Sequence, residues 1–503
     1  MQNKPTLILG GPGCGKTTAL LDIVEKALDN GVSADRIAFV AFTRKAAQEA
    51  RERMSAKFGL SDDDIQHFRT LHSFAFAHLG INRNRILDGR KLREYAKAEG
   101  LSLSEDFSDE FGLFIPRAYT DDEKALAAIS LARLTMRDLV DVAIDSGLDY
   151  EMVLDLAKKY NDFKQSSHLI DFTDMISKFN GDNVPLFELL IVDEAQDLSR
   201  LQWRMVELLM QQAKQIYFAG DDDQCIYAWA GADIDYFLNI DAEKRVLPIS
   251  YRLKNKIFDA CRSVIALCDN RYKKDWKPHA AGGVVDYVHS LDALDLSAGT
   301  WFLLARTNSL IYEYIKYLRE HGFPYFAPNR RGVASSLSVK PVQAVLIYEN
   351  LRLGKKFTGD KMQLLWGYIR RRIRPEKMPS FERKNEYSLA DLCSTGFSAD
   401  KNWIESLTMS EAVSQYIRAM RARGESLMKT PRITVSTIHR VKGGEADNVV
   451  IKQQLTSITW RSWTDADAQE VRVLFTAMSR AKERLFFLNT ESQKNYEIER
   501  ILA

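Results

Sequence analysis

Residues 10–17 read Gly10-Gly11-Pro12-Gly13-Cys14-Gly15-Lys16-Thr17 and fit G-x-x-x-x-G-K-[ST], the pattern of a phosphate-binding loop. The apolar run Leu7-Ile8-Leu9 before this loop predicts a buried strand, and Thr18 to Leu28 after it predicts a helix. The glycines let backbone N–H groups turn inward around phosphate groups, and the helix N-terminus adds a favourable partial charge. The stretch from Gly10 to Thr18 is therefore predicted to bind a nucleotide. Lys16 is expected to reach the outer phosphates and Thr17 to ligate Mg²⁺.

A second motif places two adjacent carboxylates at the end of an apolar run. The run Leu189-Leu190-Ile191-Val192 leads into Asp193-Glu194-Ala195-Gln196-Asp197. In a parallel sheet such a run forms a fully buried strand, and ligands bind beyond its carboxyl end. Asp193 can hold Mg²⁺ there, directly or through water, and Glu194 can act as the general base on an attacking water. Together with the phosphate-binding loop, this motif predicts hydrolysis of a nucleoside triphosphate.

Composition limits the class of protein. A chain of 503 residues with 46% hydrophobic content predicts three or four domains with substantial cores. The net charge of +2 gives no global attraction to nucleic acid, so any such surface must be local. The five cysteines lack metal or redox spacing, which favours a reducing, cytoplasmic location. No apolar run has transmembrane length and no signal peptide fits the N-terminus, so no membrane partner is expected.

Strand and helix patterns alternate through residues 1–79 and again through 186–249, which predicts one α/β core in two parts. Residues 36–42 predict its second strand, and Thr43 is a candidate N-cap for the helix that follows. Residues 80–185 have a mainly helical pattern and are predicted to form an insertion.

A second α/β core is predicted over residues 250–329 and 431–503, with strands at 301–305 and 448–451. Residues 330–430 interrupt this core with helical and basic sequence, which predicts a second, reduced insertion. Two stretches rich in basic residues, 271–277 and 370–374, could grip phosphates or form solvated basic faces.

Further segments follow the two motifs in a fixed order. They are Ala41-Phe42-Thr43-Arg44-Lys45-Ala46-Ala47, Thr70-Leu71-His72-Ser73-Phe74, Ile170-Asp171-Phe172-Thr173-Asp174, Gly220-Asp221-Asp222-Asp223-Gln224-Cys225-Ile226-Tyr227-Ala228-Trp229, Ile249-Ser250-Tyr251-Arg252, Ala305-Arg306-Thr307-Asn308, Thr437-Ile438-His439-Arg440-Val441-Lys442-Gly443-Gly444-Glu445 and Thr476-Ala477-Met478-Ser479-Arg480-Ala481. In this order and spacing, from residue 6 to about 485, the chain resembles the superfamily 1 DNA helicases of the UvrD/Rep type. The resemblance implies two RecA-like cores with parallel sheets, each carrying a mainly helical insertion.

The resemblance also implies roles at the ATP site. Gln224 is expected to sense the γ-phosphate, Tyr251 to stack on the adenine and Glu445 to bind the ribose. Arg252 and Arg480 are expected to contact the γ-phosphate, where a planar, permanently charged guanidinium suits a transferring phosphoryl group. The predicted catalytic set is Lys16, Asp193, Glu194, Gln224, Arg252 and Arg480, with ATP and Mg²⁺ bound.

A path for single-stranded DNA is implied as well. The residues expected along it are Phe42, Thr43, Thr70, His72, Tyr227, Trp229, Arg306, Asn308, Thr437 and His439. Aromatic rings accept any base, at about 1–3 kcal/mol per stacked base. The alternatives are a core position for Phe42, Tyr227 and Trp229, and a structural hydrogen bond for His72.

The resemblance thus implies an ATP-dependent helicase that moves 3′ to 5′ on single-stranded DNA and opens duplexes at single/double-strand junctions. The short second insertion leaves open a translocase that strips proteins from DNA without unwinding it. A non-catalytic DNA-binding subunit with a vestigial loop is disfavoured by the intact catalytic set. A helicase–nuclease fusion is disfavoured because no nuclease-sized domain or carboxylate cluster stands out.

Overall fold

Contacts between residues divide the chain into two units, Met1–Gly282 with Ala466–Ser479, and Gly283–Asp465 with Arg480–Ala503. The structure, a computed structural model, describes residues 4–104, 108–110, 113–115, 120–329, 332–376, 380–465 and 467–503. The boundary at Gly282 falls inside the range 250–329 that the sequence assigns to a second core. The domain boundaries given above stay predictions.

A six-stranded parallel sheet organises the first unit, in the order β3-β2-β6-β7-β1-β8. The other strands of this unit form the hairpin β4-β5 and the parallel pair β9-β10. The strands are β1 (Thr6–Leu9), β2 (Ile37–Ala41), β3 (Phe68–Thr70), β4 (Ser108–Glu110), β5 (Leu113–Ile115), β6 (Phe187–Asp193), β7 (Ala213–Gly220), β8 (Glu243–Val246), β9 (Ile249–Lys254) and β10 (Lys277–Ala280).

Helices cover both faces of this sheet and build the insertion. Apolar side chains from β1, β2, β6 and β7 alternate between two clusters, one on each face, as parallel strands buried on both sides require. The helices are α1 (Lys16–Asp29), α2 (Arg44–Phe58), α3 (Leu71–His78), α4 (Gly89–Glu99), α5 (Asp121–Thr135), α6 (Leu139–Asp145), α7 (Tyr150–Ser166), α8 (Phe172–Ser177), α9 (Arg200–Met210), α10 (Ile234–Asn239) and α11 (Asn255–Ile265).

The second unit contains a seven-stranded sheet in the order β11-β19-β18-β12-β17-β13-β14, parallel except for the β13–β14 hairpin. A two-stranded sheet, β15-β16, lies in its insertion. The strands are β11 (Val284–Val288), β12 (Trp301–Ala305), β13 (Tyr325–Asn329), β14 (Gly332–Ser335), β15 (Phe357–Thr358), β16 (Glu386–Tyr387), β17 (Ile433–Thr437), β18 (Ala446–Lys452) and β19 (Ala481–Leu488).

The remaining helices complete both units, and one of them, α19, belongs to the first unit. They are α12 (Asn308–Glu320), α13 (Lys340–Arg352), α14 (Gly359–Tyr368), α15 (Leu389–Cys393), α16 (Trp403–Ser406), α17 (Glu411–Ala422), α18 (Ser457–Thr464), α19 (Ala468–Met478) and α20 (Ile498–Leu502). The predicted class, α/β with two parallel-sheet cores, is confirmed. The Thr43 N-cap is also confirmed, since its hydroxyl accepts the Ala46 N–H at 3.2 Å.

Buried charges join helices α5, α7 and α8 within the first insertion. Lys164 of α7 donates to Asp171 at 2.7 Å and to Asp174 at 2.8 Å, and Arg133 of α5 pairs with both acids. Asp171 and Asp174 also form the capping box of α8. Burial alone would raise the pKa of Asp171, but Arg133 and Lys164 outweigh it and hold that pKa well below its usual range. The Asp171–Asp174 segment therefore has a structural role in this chain.

Replacing Lys164 with methionine is expected to destabilise this region by about 3–5 kcal/mol, because a buried charge network loses its central cation. Hydrogen exchange across α7 and α8 measures the free energy of local opening. The matched control is Lys159→Met on the same helix, where the pair with Asp155 is exposed to solvent and contributes little to stability.

The stability that Asp171 contributes depends on pH in a definite direction. Because folding lowers the pKa of Asp171, its ionised carboxylate stabilises the folded state fully at any pH above the unfolded pKa of about 3.9. This stabilisation is lost as the pH falls from about 3.9 towards the folded pKa. Equal losses for the Lys164 and Lys159 variants at neutral pH would contradict this account.

Candidate nucleotide site and nucleic-acid interface

The phosphate-binding loop joins β1 to α1 and wraps around its own lysine. Gly13 and Gly15 have φ of 73° and 77°, a left-handed backbone that favours glycine. The buried Lys16 ammonium donates to the carbonyls of Gly10 at 2.8 Å and Gly11 at 3.4 Å. Burial raises the pKa of the Cys14 thiol to about 11, so this side chain is a neutral part of the loop. Thr18 lies in the first turn of α1.

The β9 segment approaches this loop closely. Ser250 donates to the Pro12 carbonyl at 2.6 Å, and the Tyr251 N–H donates to the Gly13 carbonyl at 2.9 Å. A Cβ atom on Gly13 would lie 2.3 Å from Cβ of Arg252, so only glycine fits there. Tyr251 is 67% exposed, which leaves its ring accessible beside the loop.

Arg252 and Trp276 flank the same loop. The Arg252 guanidinium donates to the Ser479 carbonyl at 3.4 Å. A Cβ atom on Gly11 would lie 2.6 Å from the Trp276 ring, which packs edge-on to Phe258 with centroids 4.7 Å apart. The two predicted nucleotide contacts, Tyr251 and Arg252, therefore lie beside the loop within the first unit.

Thr17 and Asp193 form a pair of oxygen donors suited to Mg²⁺. The Thr17 hydroxyl donates to Asp193 Oδ2 at 2.9 Å, across the gap between α1 and the end of β6. Burial raises the pKa of Asp193 to about 7, with a smaller contribution from the Glu194 charge. A divalent cation would favour the ionised carboxylate, and Mg²⁺ in nucleotide sites uses few protein ligands beside phosphate and water. The side chains present therefore fit the predicted ion.

Glu194 follows Asp193 in a strained backbone conformation. Its φ is 55°, a left-handed value that costs a non-glycine residue about 1–2 kcal/mol. Gln196 Nε2 donates to Glu194 Oε2 at 2.6 Å, and Gln196 Oε1 accepts the Asp221 N–H at 3.1 Å. Gln224 Nε2 in turn donates to Asp221 Oδ2 at 2.6 Å. Gln196 thus links the predicted base to the turn that carries the predicted γ-phosphate sensor.

Two basic residues serve neither of the roles suggested by the sequence. Arg271 makes a bidentate pair with Asp223 at 2.7 and 2.6 Å, and Lys274 contacts three consecutive acids, Asp221 to Asp223. Both cations therefore neutralise the acidic turn after β7. The sequence did not reveal the contacts of Gln196, Arg271 and Lys274. Asp221 lies 25 residues from Gln196, and the acids bound by Arg271 and Lys274 lie about 50 residues away from them.

Arg480 and Glu445 belong to the second unit. Arg480 is 1% exposed and donates to the Gly444 carbonyl at 3.1 Å, while Glu445 lies 3.5 Å from the Lys482 ammonium. Their roles toward the nucleotide stay predictions.

Three predicted DNA-binding aromatics lie in a row in the first unit. The centroids of Phe42 and Tyr227 are 5.6 Å apart, and those of Tyr227 and Trp229 are 6.2 Å apart. Tyr227 is 8% exposed and Trp229 38%, so Trp229 presents more of its ring to solvent. Trp229 therefore offers an exposed ring on which a base could stack, whereas Tyr227 occupies the buried position that the core alternative describes.

A cavity of about 1050 Å³ adjoins Phe42 and contains the other predicted DNA-binding residues of this unit, Thr43, Thr70 and His72. Both threonines cap helices, Thr43 that of α2 and Thr70 that of α3. Burial and the Arg44 charge lower the pKa of His72 to about 4, so its imidazole is neutral at physiological pH. Four arginines that the sequence did not single out supply positive charge to this cavity: Arg44, Arg51, Arg69 and Arg83.

The DNA-binding residues predicted in the second unit lie at one edge of its sheet, where β12 and β17 end. Ala305, the last residue of β12, pairs with Thr437, the last residue of β17. Arg306 and Asn308 follow the first strand, and His439 follows the second. Because both strands end at the same edge, these four side chains start from neighbouring backbone positions.

Two known protein families match this chain, one in its N-terminal half and one near its C-terminus. The UvrD/REP helicase N-terminal domain family matches residues 1–245, and the UvrD-like helicase C-terminal domain family matches residues 432–488. None of the helices in the described ranges combines the length and apolar character needed to span a membrane.

Individual relatives include two bacterial proteins named ATP-dependent DNA helicase PcrA. The Bacillus subtilis (strain 168) protein is 29% identical over 301 residues, covering 56% of this chain and 40% of its own length. The Leuconostoc citreum protein is 28% identical over 411 residues, covering 75% of this chain and 52% of its own length. The chain thus spans about half the length of these relatives. An arterivirus nonstructural protein 10 (helicase) crystal structure aligns with a TM-score of 0.35 and 10% identity, over 99% of this chain and 61% of its own.

Substituting Gly13 with alanine is expected to weaken ATP binding about tenfold or more, because a left-handed conformation and the Arg252 contact together exceed about 1.4 kcal/mol. Equilibrium binding of a fluorescent ATP analogue measures the Kd. Gly31→Ala is the matched control, since Gly31 has φ of 83° but a Cβ atom there meets nothing within 4 Å. If both variants bound ATP like the wild type, the closeness of Gly13 to Arg252 would be irrelevant to the site.

Proposed function

The chain belongs to the UvrD/Rep-type superfamily 1 helicases, and we propose that it is an ATP-driven motor that moves 3′ to 5′ on single-stranded DNA and unwinds duplexes. The observation that carries the proposal is one short turn in the first unit. Gln224 in this turn is bonded to Asp221 beside the hydrolytic residues, and Tyr227, three residues later, lies against Phe42 of the aromatic row. A movement of the turn during hydrolysis would therefore reach the DNA-binding surface directly.

In this proposal, hydrolysis uses groups that the loop and the strand ends hold in place. Lys16 binds the outer phosphates, and Thr17 with Asp193 would hold Mg²⁺, which supplies charge stabilisation to the transferring phosphoryl group. Glu194 takes the proton of the attacking water, and Gln196 orients its carboxylate. Arg252 stabilises negative charge on the γ-phosphate, beside the loop that it contacts through Gly13.

The second unit would contribute Arg480 to the same phosphate and Glu445 to the ribose, as the family motifs imply. Arg306, Asn308, Thr437 and His439 would extend the DNA path. We further propose single-stranded DNA and single/double-strand junctions as substrates. A cytoplasmic location is proposed because the five cysteines, all within the described ranges, form no disulfide with one another.

Glu194→Gln is expected to retain ATP binding and lose turnover by about 10²–10⁴-fold, the usual contribution of a general base. DNA-stimulated phosphate release measures turnover, and equilibrium binding measures retention of ATP. Glu188→Gln removes a carboxylate at the far end of the same strand, where it pairs with Arg36 and Lys214, and should leave turnover near wild type. A fully active Glu194→Gln enzyme would rule out this residue as the base.

Strand separation on matched duplexes with a 3′ or a 5′ single-stranded tail tests the function as a whole. ATP-dependent unwinding of the 3′-tailed duplex alone is expected. Unwinding of the 5′-tailed duplex alone would show the polarity to be wrong. Unwinding of neither, with DNA-stimulated hydrolysis intact, would favour a translocase that does not separate strands. Hydrolysis that DNA does not stimulate would contradict the motor.

A further inference from the structure

An exposed tyrosine and an exposed histidine lie side by side next to the phosphate-binding loop. Tyr251 of β9 is 67% exposed, and its backbone N–H donates to the Gly13 carbonyl of the loop at 2.9 Å. The ring centroid of His279, an exposed residue of β10, is 6.2 Å from that of Tyr251, with 37° between the ring planes. Because every nucleobase has a flat face that stacks on such rings, this place is suited to hold the base of a nucleotide.

The parallel pairing of β9 with β10 brings the two rings together. Pro278 is the partner of Ser250 in the register, so Tyr251 and His279, one residue further along each strand, are neighbours. Ser250 is buried, and its hydroxyl donates to the Pro12 carbonyl of the loop at 2.6 Å. The two rings are therefore held at a fixed place relative to the phosphate-binding loop.

One hydrogen bond determines which nitrogen of His279 carries the proton. His279 Nδ1 lies 3.0 Å from the Ser250 carbonyl oxygen. A carbonyl oxygen only accepts hydrogen bonds, so Nδ1 is the donor. In a neutral imidazole only one nitrogen is protonated, and Nε2 of His279 therefore keeps its lone pair as an acceptor. Within the parts of the chain that the structure describes, this Nε2 has no hydrogen-bond partner.

Nucleobases differ in what they offer to such an acceptor. Adenine carries at position 6 an amino group, which donates, whereas guanine carries there an oxygen, which accepts. An imidazole lone pair attracts the amino group and repels the oxygen. The preference for adenine gains the value of a hydrogen bond, and a base with the oxygen would in addition leave two acceptors facing each other unpaired.

We propose that His279 determines the base specificity of the nucleotide site, because its Nε2 accepts a hydrogen bond from the 6-amino group of an adenine stacked beside it on Tyr251. This inference rests on the proposed function, since it concerns the base of the nucleotide that the motor hydrolyses. It gives His279 a part in choosing the nucleotide and no part in the hydrolytic step.

Lys277 gives the competing expectation for the same base edge. It precedes His279 by two residues in β10, and exposure alternates along this strand, so both side chains leave its exposed face. An ammonium only donates hydrogen bonds and would favour a base with an oxygen at position 6. The sign of the base preference therefore distinguishes His279 from Lys277.

The experiment measures the Kd of nucleoside diphosphates, which occupy the site without being hydrolysed. The three probes differ only around position 6 of the purine, where ADP has an amino group, purine riboside diphosphate a hydrogen and IDP an oxygen. Each probe displaces a ribose-labelled fluorescent ADP from the full chain at about pH 8, where an ordinary imidazole is neutral. The wild type is expected to bind ADP about 3- to 10-fold more tightly than purine riboside diphosphate, the value of one hydrogen bond. IDP should bind more weakly than ADP by at least the same factor.

His279→Phe keeps a flat ring and removes the acceptor. Its Kd for ADP should rise by about 3- to 10-fold while that for purine riboside diphosphate changes little, so the preference disappears. The matched control is His289→Phe, which replaces an exposed histidine of the second unit and should keep the wild-type preference. His279→Gln decides the matter if His279→Phe does not fold. Its amide can accept or donate, so it should bind ADP and IDP about equally.

A wild-type chain that binds the three diphosphates equally, or that prefers IDP, would overturn the inference. A folded His279→Phe or His279→Gln variant that keeps the wild-type preference for ADP would overturn it as well, because another group would then read the amino group. These Kd values do not depend on turnover. A chain with the expected preference but without DNA-stimulated hydrolysis would overturn the proposed motor and leave the base contact in place, whereas a chain that binds no diphosphate would contradict both.

Discussion

The parallel arrangement of the first sheet is the constraint on which the rest of the site depends. Because β1, β6 and β7 all run in the same direction, the loops that follow them meet at one edge. This arrangement brings Thr17 and Asp193 together although they are 176 positions apart in the sequence, and the Thr17 hydroxyl donates a hydrogen bond of 2.9 Å to the Asp193 carboxylate. An antiparallel β6 would place its carboxylates at the opposite edge, far from the phosphate-binding loop.

Buried charge is used in two different ways in the first unit. In the insertion, Lys164 and Arg133 neutralise acids that cap α8, and the cluster fastens helices together. Behind the nucleotide site, Lys274 neutralises acids that themselves hold a functional amide. The chemistry is the same in both places, but only the second cluster touches a residue with a predicted role in hydrolysis. Buried ion pairs contribute little net stability compared with apolar packing, so such a cluster is better explained by orientation than by strength.

Much of this architecture could be predicted from local patterns. The phosphate-binding loop, the strand before Asp193 and the Thr43 cap each depend on residues close together in sequence, and each is found in the structure. Arg271 and Lys274 could not be placed in this way. A basic, aromatic stretch has the same composition whether it faces solvent, phosphate or buried acids, and only the fold brings it to Asp221–Asp223. The arginines that line the cavity beside Phe42 were missed for a similar reason, since two come from α2, one from β3 and one from the segment between α3 and α4.

The packing of Trp276 on Gly11 has an optical consequence. Indole emission depends strongly on the polarity and mobility of its surroundings, and this ring lies where a Cβ atom on the loop would be 2.6 Å away. Any rearrangement of the loop around phosphate must change the contact surface of that ring. The chain thus contains a native chromophore at its nucleotide-binding loop, and we expect the emission of this ring to change when nucleotide binds.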